Sequence, residues 1–322
     1  MLKLLQELAE TNNAALTSQQ QEIFDPEIAG PCRAFEASHD ASSCPKTRAS
    51  YVSRVKMSTS PHDPAGLVSQ AAQKRVTISN PMGESLVGVF DNSGSLDTVV
   101  LCHGFRSSKE SSTLTSITSQ LVATGYSSFR FDFSGNGESD GEFHYGNYWK
   151  EVEDLRSVIC YLAAQGHKVK AIVGHSKGGD VVLLYASKYG DISTVVNLSG
   201  RFNLHAGVKE RLGERGLQLI EEQGFLEIKD KEGNIEYTVT NEDLRERLST
   251  DMKAAVIAIP ENLRILTVHG TEDKIVTVED AKEFDRFIPN HKLHILDGAN
   301  HGFTQHREDL QQLVVEFIRE DM

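Results

Sequence analysis

The sequence predicts an α/β protein: a mainly parallel sheet with helices on both faces and an antiparallel start. Three observations carry this. Short apolar runs alternate with longer helical patterns through most of the chain, and parallel strands need crossovers of about a dozen residues or more. Two short strand-like runs at the beginning are joined closely enough to form a hairpin. One connection late in the chain is far too long for a simple crossover. The 322 residues, 39% hydrophobic and 25% charged with only 8 Pro, are enough for one large core or two ordinary domains and too apolar for a disordered chain.

Residues 1–72 show no sustained period beyond the cluster Leu2, Leu4, Leu5 and Leu8, and 38–65 is turn-rich; this segment reads as a disordered appendage. The ordered domain, 73–322, opens with Arg75 to Ser79 and Leu86 to Phe90, joined across Asn80 to Glu84 as a hairpin. Strands follow at Thr98 to Cys102, Ser127 to Asp132, Val169 to Val173, Thr194 to Leu198, Ile265 to His269 and Lys292 to Leu296, with helices near 111–124, 148–165, 177–189, 279–287 and 306–320. Between Leu198 and Ile265, two short strands, Phe225 to Ile228 and Tyr237 to Val239, flank Asp230 to Asn234 as a second hairpin, followed by one helix over Glu242 to Ala258. A long excursion with its own elements reads as an inserted cap or lid over 205–262.

Charge excludes some functions. The 33 Lys plus Arg against 46 Asp plus Glu give a net of -13, the wrong sign for nucleic acid or an anionic lipid surface. No stretch is apolar for the roughly 18 residues that a membrane span needs, and the N-terminus lacks a basic region followed by an apolar one. The expected location is the cytoplasm; a plastid is the alternative if 1–72 is a transit segment, against which stand the early acids Glu7, Glu10, Glu22, Asp25 and Glu27. Four cysteines without a CxxC pair are no disulfide scaffold; Cys102 and Cys160 read as buried thiols, while Cys32, His39 and Cys44 match no common zinc spacing. No cofactor or metal is expected.

Parallel α/β sheets carry their working residues just past the carboxyl ends of strands. The strongest signal there is Gly174-His175-Ser176-Lys177-Gly178, a GxSxG between a strand and the helical run from Asp180. Its small residues permit a sharp turn that exposes the serine hydroxyl and puts the next backbone N–H at a helix N-terminus. Gly137-Glu138-Ser139-Asp140-Gly141 also fits GxSxG but lies in a turn-rich loop with no helix immediately after it. Ser176 is therefore the expected nucleophile, which needs a base and an acid to orient that base. Asp273, at the exit of the Ile265 to His269 strand, is the candidate acid, with Glu272 as substitute; His301, after the Lys292 to Leu296 strand, is the candidate base. At the exit after Cys102, the backbone N–H of Phe105 would join that of Lys177 in holding a developing oxyanion.

Together, His103-Gly104-Phe105, Gly174 to Gly179, Gly270 to Asp273 and Asn300-His301 resemble the α/β-hydrolase superfamily over 74–322. More narrowly they resemble cinnamoyl or feruloyl esterases and their plant relatives, often classed with serine aminopeptidase-like hydrolases. The resemblance implies the α/β-hydrolase fold and cofactor-free hydrolysis of small to medium carboxylic esters, hydroxycinnamoyl esters among them. It carries over Ser176, Asp273 and His301 as the triad and Phe105 and Lys177 as oxyanion donors, and it assigns 205–262 as the insertion that shapes the acyl pocket after the sixth strand. Lys177 departs from the uncharged residue of many relatives. The alternatives are a non-hydrolytic acyltransferase or lyase, a ligand-binding receptor on the same fold, and an aminopeptidase, which would need an acidic recess for the substrate amine.

Three features have plainer readings. Phe143, Tyr145, Tyr148 and Trp149 fit packing at a helix start better than an aromatic pocket. The 13 acids against 8 bases of 205–262 fit a solvated surface. The loop glycines Gly135, Gly137 and Gly141 match no nucleotide-binding pattern. The partner expected is a small-molecule ester, and the sequence leaves the oligomeric state open.

Overall fold

The structure, a computed structural model, describes residues 72–320; the segment before Ala72, with Cys32, His39 and Cys44, lies outside the described residues. Strand β1 (Ala72–Ser79) pairs antiparallel with β2 (Ser85–Asn92), and β2 pairs antiparallel with β4 (Ser127–Phe131). Every later pairing in the sheet is parallel, through β3 (Asp97–Cys102), β5 (Lys168–His175), β6 (Thr194–Leu198), β9 (Arg264–Gly270) and β10 (His291–Leu296). The eight strands run in the order β1-β2-β4-β3-β5-β6-β9-β10, which confirms the expected α/β sheet with its antiparallel start.

The alternation of side chains along each central strand assigns the two faces. Val99, Leu101, Ala171 and Val173 point to the face covered by α1 (Ser112–Ala123) and α8 (Arg307–Arg319), packing with Leu114, Ile117, Leu310 and Val314. Val100, Cys102 and Ile172 point the other way, onto Val152 and Leu155 of α2 (Tyr148–Ala164), Val181 and Val182 of α3 (Lys177–Tyr189) and Phe284 of α7 (Val278–Phe287). Both surfaces of these strands are therefore dry, which is why their sequences read as continuous apolar runs rather than alternating ones. Cys102 is fully buried as expected, but Cys160 is only half-buried, because it sits at the flank of α2 rather than on its core stripe.

The excursion after β6 holds α4 (Val208–Gln223), the antiparallel pair β7 (Phe225–Lys229) and β8 (Ile235–Thr240), then α5 (Asn241–Ser249) and α6 (Met252–Ile257). The single helix expected over Glu242 to Ala258 is two. Thr250 leaves the helical conformation and Asp251 caps the second helix by accepting from the Ala254 N–H at 3.0 Å. Helix α4 had no sequence signal of its own; it is interrupted at Gly213, which takes a positive φ of 69°, and this break scrambles its apolar period.

Candidate active site

The site is built at the carboxyl ends of β3, β5, β9 and β10. Between β5 and α3 the chain reverses at Ser176, whose φ of 55° and ψ of -121° are unfavourable for any residue with a Cβ. The flanking glycines allow it. A Cβ on Gly174 would lie 1.9 Å from the Gly178 carbonyl oxygen, and one on Gly178 would lie 2.5 Å from that of His103. The turn is held open towards the site by the Ser176 N–H, which donates to the Leu198 carbonyl at 2.8 Å. Ser139 of the other GxSxG is tied into its loop instead, donating to the Asp132 carbonyl at 2.6 Å and accepting from the Val87 N–H at 2.9 Å.

Asp273 is enclosed. One carboxylate oxygen accepts from the N–H groups of Ile275 and Val276 at 2.8 and 2.9 Å, and the other accepts from His301 Nδ1 at 2.7 Å. His269 Nε2, which donates to the Val276 carbonyl at 2.9 Å, stands 3.3 Å from that second oxygen. Burial alone would raise the Asp273 carboxyl, but the hydrogen bonds from His269, His301 and Val276 outweigh it and hold it well below the usual carboxylate range. Asp273 is thus a turn residue and a histidine partner at once. Glu272, its possible substitute, is exposed and paired with Lys274 at 2.7 Å.

His301 and Ser176 approach through His175, whose Nε2 donates to the His301 carbonyl at 2.8 Å while the two rings lie 5.0 Å apart. Desolvation and then the neighbouring His301 lower the His175 imidazole to about 4, so it is neutral, as its donor role to a carbonyl allows. The structure brings His301 onto Asp273 but does not close the last link: neither Ser176 Oγ nor His301 Nε2 has a hydrogen-bond partner among the described residues. On the opposite side, a Cβ on Gly104 would fall 3.0 Å from Ser176 Cβ, so the β3 exit lies directly against the serine. The Phe105 N–H finds no acceptor among the described residues, and Lys177, as the first residue of α3, has no intrahelical acceptor. His103 fixes this loop. Its Nδ1 donates to the Gly104 carbonyl at 2.8 Å and its Nε2 accepts from the Phe133 N–H at 3.1 Å.

Ser176 opens into a cavity of about 420 Å³. Phe105, Tyr145 and Tyr148 supply aromatic walls, so the tyrosines both pack and line the cavity, whereas Phe143 packs edge-on against Phe105 at 5.3 Å. Trp149 is 37% exposed and faces Lys188. The Lys177 ammonium is turned into the protein, 2.7 Å from Glu151 and 4.9 Å from the Tyr148 ring centroid. Glu151 is pushed up to about 7 by desolvation, which its pairing with Lys177 only partly offsets.

Comparison with known proteins agrees with this fold. The family described as serine aminopeptidase, S33, matches residues 95–254, just under half the chain and including the β3 exit and the serine elbow. The structure of Est1E of Butyrivibrio proteoclasticus, solved with ferulic acid bound, superposes with a TM-score of 0.65 at 25% identity, over 76% of this chain and 98% of that one. The chain belongs to the α/β-hydrolase superfamily. Within that superfamily it is 31% identical over 114 residues to a monoacylglycerol lipase of Mycolicibacterium smegmatis, a match covering 34% of this chain and 40% of the relative. It is 24% identical over 236 residues, or 62% of this chain and 83% of the relative, to the AB hydrolase superfamily protein YisY of Bacillus subtilis. Among the described residues no helix is long and apolar enough to cross a membrane.

What the motifs of this α/β-hydrolase did not reveal is the cavity's charge. Arg201 follows β6, Arg211 lies on α4 and Arg247 on α5, and all three line the cavity with Ser176. Nothing in their local sequence marks them; the excursion as a whole is acidic, and only its folding back over the sheet gathers them.

Proposed function

We propose that this chain is a serine hydrolase that cleaves carboxylic esters of small to medium acyl groups. Ser176 Oγ attacks the ester carbonyl carbon while its proton passes to His301 Nε2, and Asp273 holds the imidazole in the tautomer that accepts there and stabilises the imidazolium. The tetrahedral oxyanion is held by the N–H groups of Phe105 and Lys177. Collapse breaks the carbon–oxygen bond to the alcohol, which leaves with the proton from His301. Water activated by the same imidazole then attacks the acyl-enzyme, releasing the acid and restoring Ser176. The observation that carries this reading is the His301–Asp273 bond of 2.7 Å beside the strained Ser176 elbow. The unpartnered hydroxyl and Nε2 are consistent with a pair that tightens when substrate binds.

The aromatic walls and the ferulic acid bound by Est1E support a hydroxycinnamoyl acyl group. The aminopeptidase reading draws support from the matched family's description, but a cavity lined by three arginines is poorly suited to a cationic amine. Labelling by a fluorophosphonate, with turnover of p-nitrophenyl and hydroxycinnamoyl esters, tests the proposal. Ser176→Ala is expected to abolish labelling and lower turnover by at least about 10³-fold, while Ser139→Ala keeps labelling. Labelling that survives in a folded Ser176→Ala protein refutes the mechanism. A labelled enzyme that turns over no ester favours acyl transfer or a receptor role.

A further inference from the structure

Resting on the hydrolase reading, we propose that the cavity beside Ser176 is an anion subsite and that the preferred ester carries a free carboxylate on its acyl or its alcohol part. The argument starts from Arg247, which is only 8% exposed. Its Nε donates to the Leu204 carbonyl at 3.0 Å and its Nη1 to the Tyr148 hydroxyl at 2.7 Å. Both acceptors are neutral, and Nη2 has no acceptor among the described residues. The Asp180 and Glu246 carboxylates act on it without forming an ion pair, and a buried guanidinium with no carboxylate in contact is costly unless something else supplies the negative charge.

Two more guanidinium groups share the cavity. Arg211 stacks over the Phe105 ring at 4.5 Å and Arg201 donates to the Ile275 carbonyl. Neither is in an ion pair with a described residue. Arg211 lies over the Phe105 ring and Arg247 is 5.2 Å from the Tyr145 ring centroid, so the Arg211 N–H groups and Arg247 Nη2 stay available for the oxygens of a carboxylate. The remaining cations are already matched, Lys177 by Glu151 and Lys274 by Glu272. Two acids also line the cavity. Asp180 is buried, accepts from the Arg201 backbone N–H at 2.6 Å and is pushed well above the usual carboxylate range by desolvation, and Glu210 is exposed at the rim of α4. Three unpaired guanidiniums outweigh them, in a chain whose net charge is -13.

The test compares kcat/KM for matched esters on the full chain. For the acyl side the pair is p-nitrophenyl hydrogen glutarate against p-nitrophenyl pentanoate, and for the alcohol side it is carboxypropyl ferulate against butyl ferulate. The wild-type protein is expected to favour the carboxylate member of one pair by about tenfold or more, and the pair that responds tells which side of the ester the subsite holds. Arg201→Gln and Arg211→Gln should each reduce that ratio about fivefold or more; Arg247→Gln, an interior change, is read only if its circular dichroism is native. A ratio at or below one in both pairs, or one that neither Arg201→Gln nor Arg211→Gln alters, overturns the subsite while leaving the hydrolase intact. If no ester is cleaved and no fluorophosphonate is taken up, the hydrolase reading falls, and calorimetric titration with glutarate still judges the subsite. Binding weakened by Arg211→Gln upholds it, and no binding, or binding that Arg211→Gln leaves unchanged, overturns it.

Discussion

At the scale of single residues, two buried histidines beside the serine elbow, His103 and His175, are held neutral by desolvation. His103 is 2% exposed, and desolvation lowers it to about 4 against the donor bond to Gly104, which would raise it. In the unfolded chain it titrates near 6.5. The folded protein therefore binds fewer protons than the unfolded one between these values. This contribution to stability is full above the unfolded value and is lost as pH falls through the window towards 4. Between about pH 7.5 and about pH 5 it should cost about 2 kcal/mol. A glutamine can reproduce both hydrogen bonds without titrating, so His103→Gln should shrink the stability difference between those pH values by about that amount. Urea unfolding at the two pH values measures it, and an unchanged difference removes His103 from the acid response.

At the scale of elements, the strand–serine–helix turn is the most constrained junction described. Its glycines are required by close approach of backbone to backbone, which no side-chain shift can relieve: a Cβ on Gly178 meets the carbonyl oxygens of both His103 and Cys102, at 2.5 and 2.6 Å. Gly178→Ala must push α3 away from the β3 exit, and it is expected to destabilise the protein by about 3 kcal/mol as read by urea unfolding. A loss well under about 1 kcal/mol would mean that the junction relaxes freely. This junction was legible in the sequence, because the turn chemistry is local and the motif sits where a strand pattern ends and a helix pattern begins. The break between α5 and α6 was legible only in part: Ser249, Thr250 and Asp251 are capping types, but the apolar period runs on across them.

At the scale of the whole molecule, the described residues form three apolar clusters, two on the faces of the sheet and a third inside the excursion, where Val208, Leu212, Tyr237, Val239 and Leu244 gather with Tyr145. The third is the smallest, and its hairpin β7–β8 has only two strands, with Phe225 41% and Ile235 55% exposed. An isolated two-stranded sheet is marginal in water, so the excursion should open more readily than the sheet. Hydrogen exchange is expected to show β7 and β8 exchanging at least about tenfold faster than β3 and β5. Equal protection would make the excursion part of one cooperative unit with the sheet, and access to the cavity would then need no local opening of it.

The sequence by itself determined the sheet with its antiparallel start, the serine elbow, and the order in which serine, acid and histidine follow strand exits. Each of these is written in local periodicity, turn chemistry or chain order. Tertiary structure alone decided that Asp273 rather than Glu272 reaches His301, since two neighbouring acids differ only in the direction a turn gives them. It also decided that Arg201, Arg211 and Arg247 meet beside Ser176. They come from one loop and two helices of the stretch after β6, whose overall charge is negative, and charge in a cavity depends on which side chains the fold encloses rather than on the composition of the segment that supplies them.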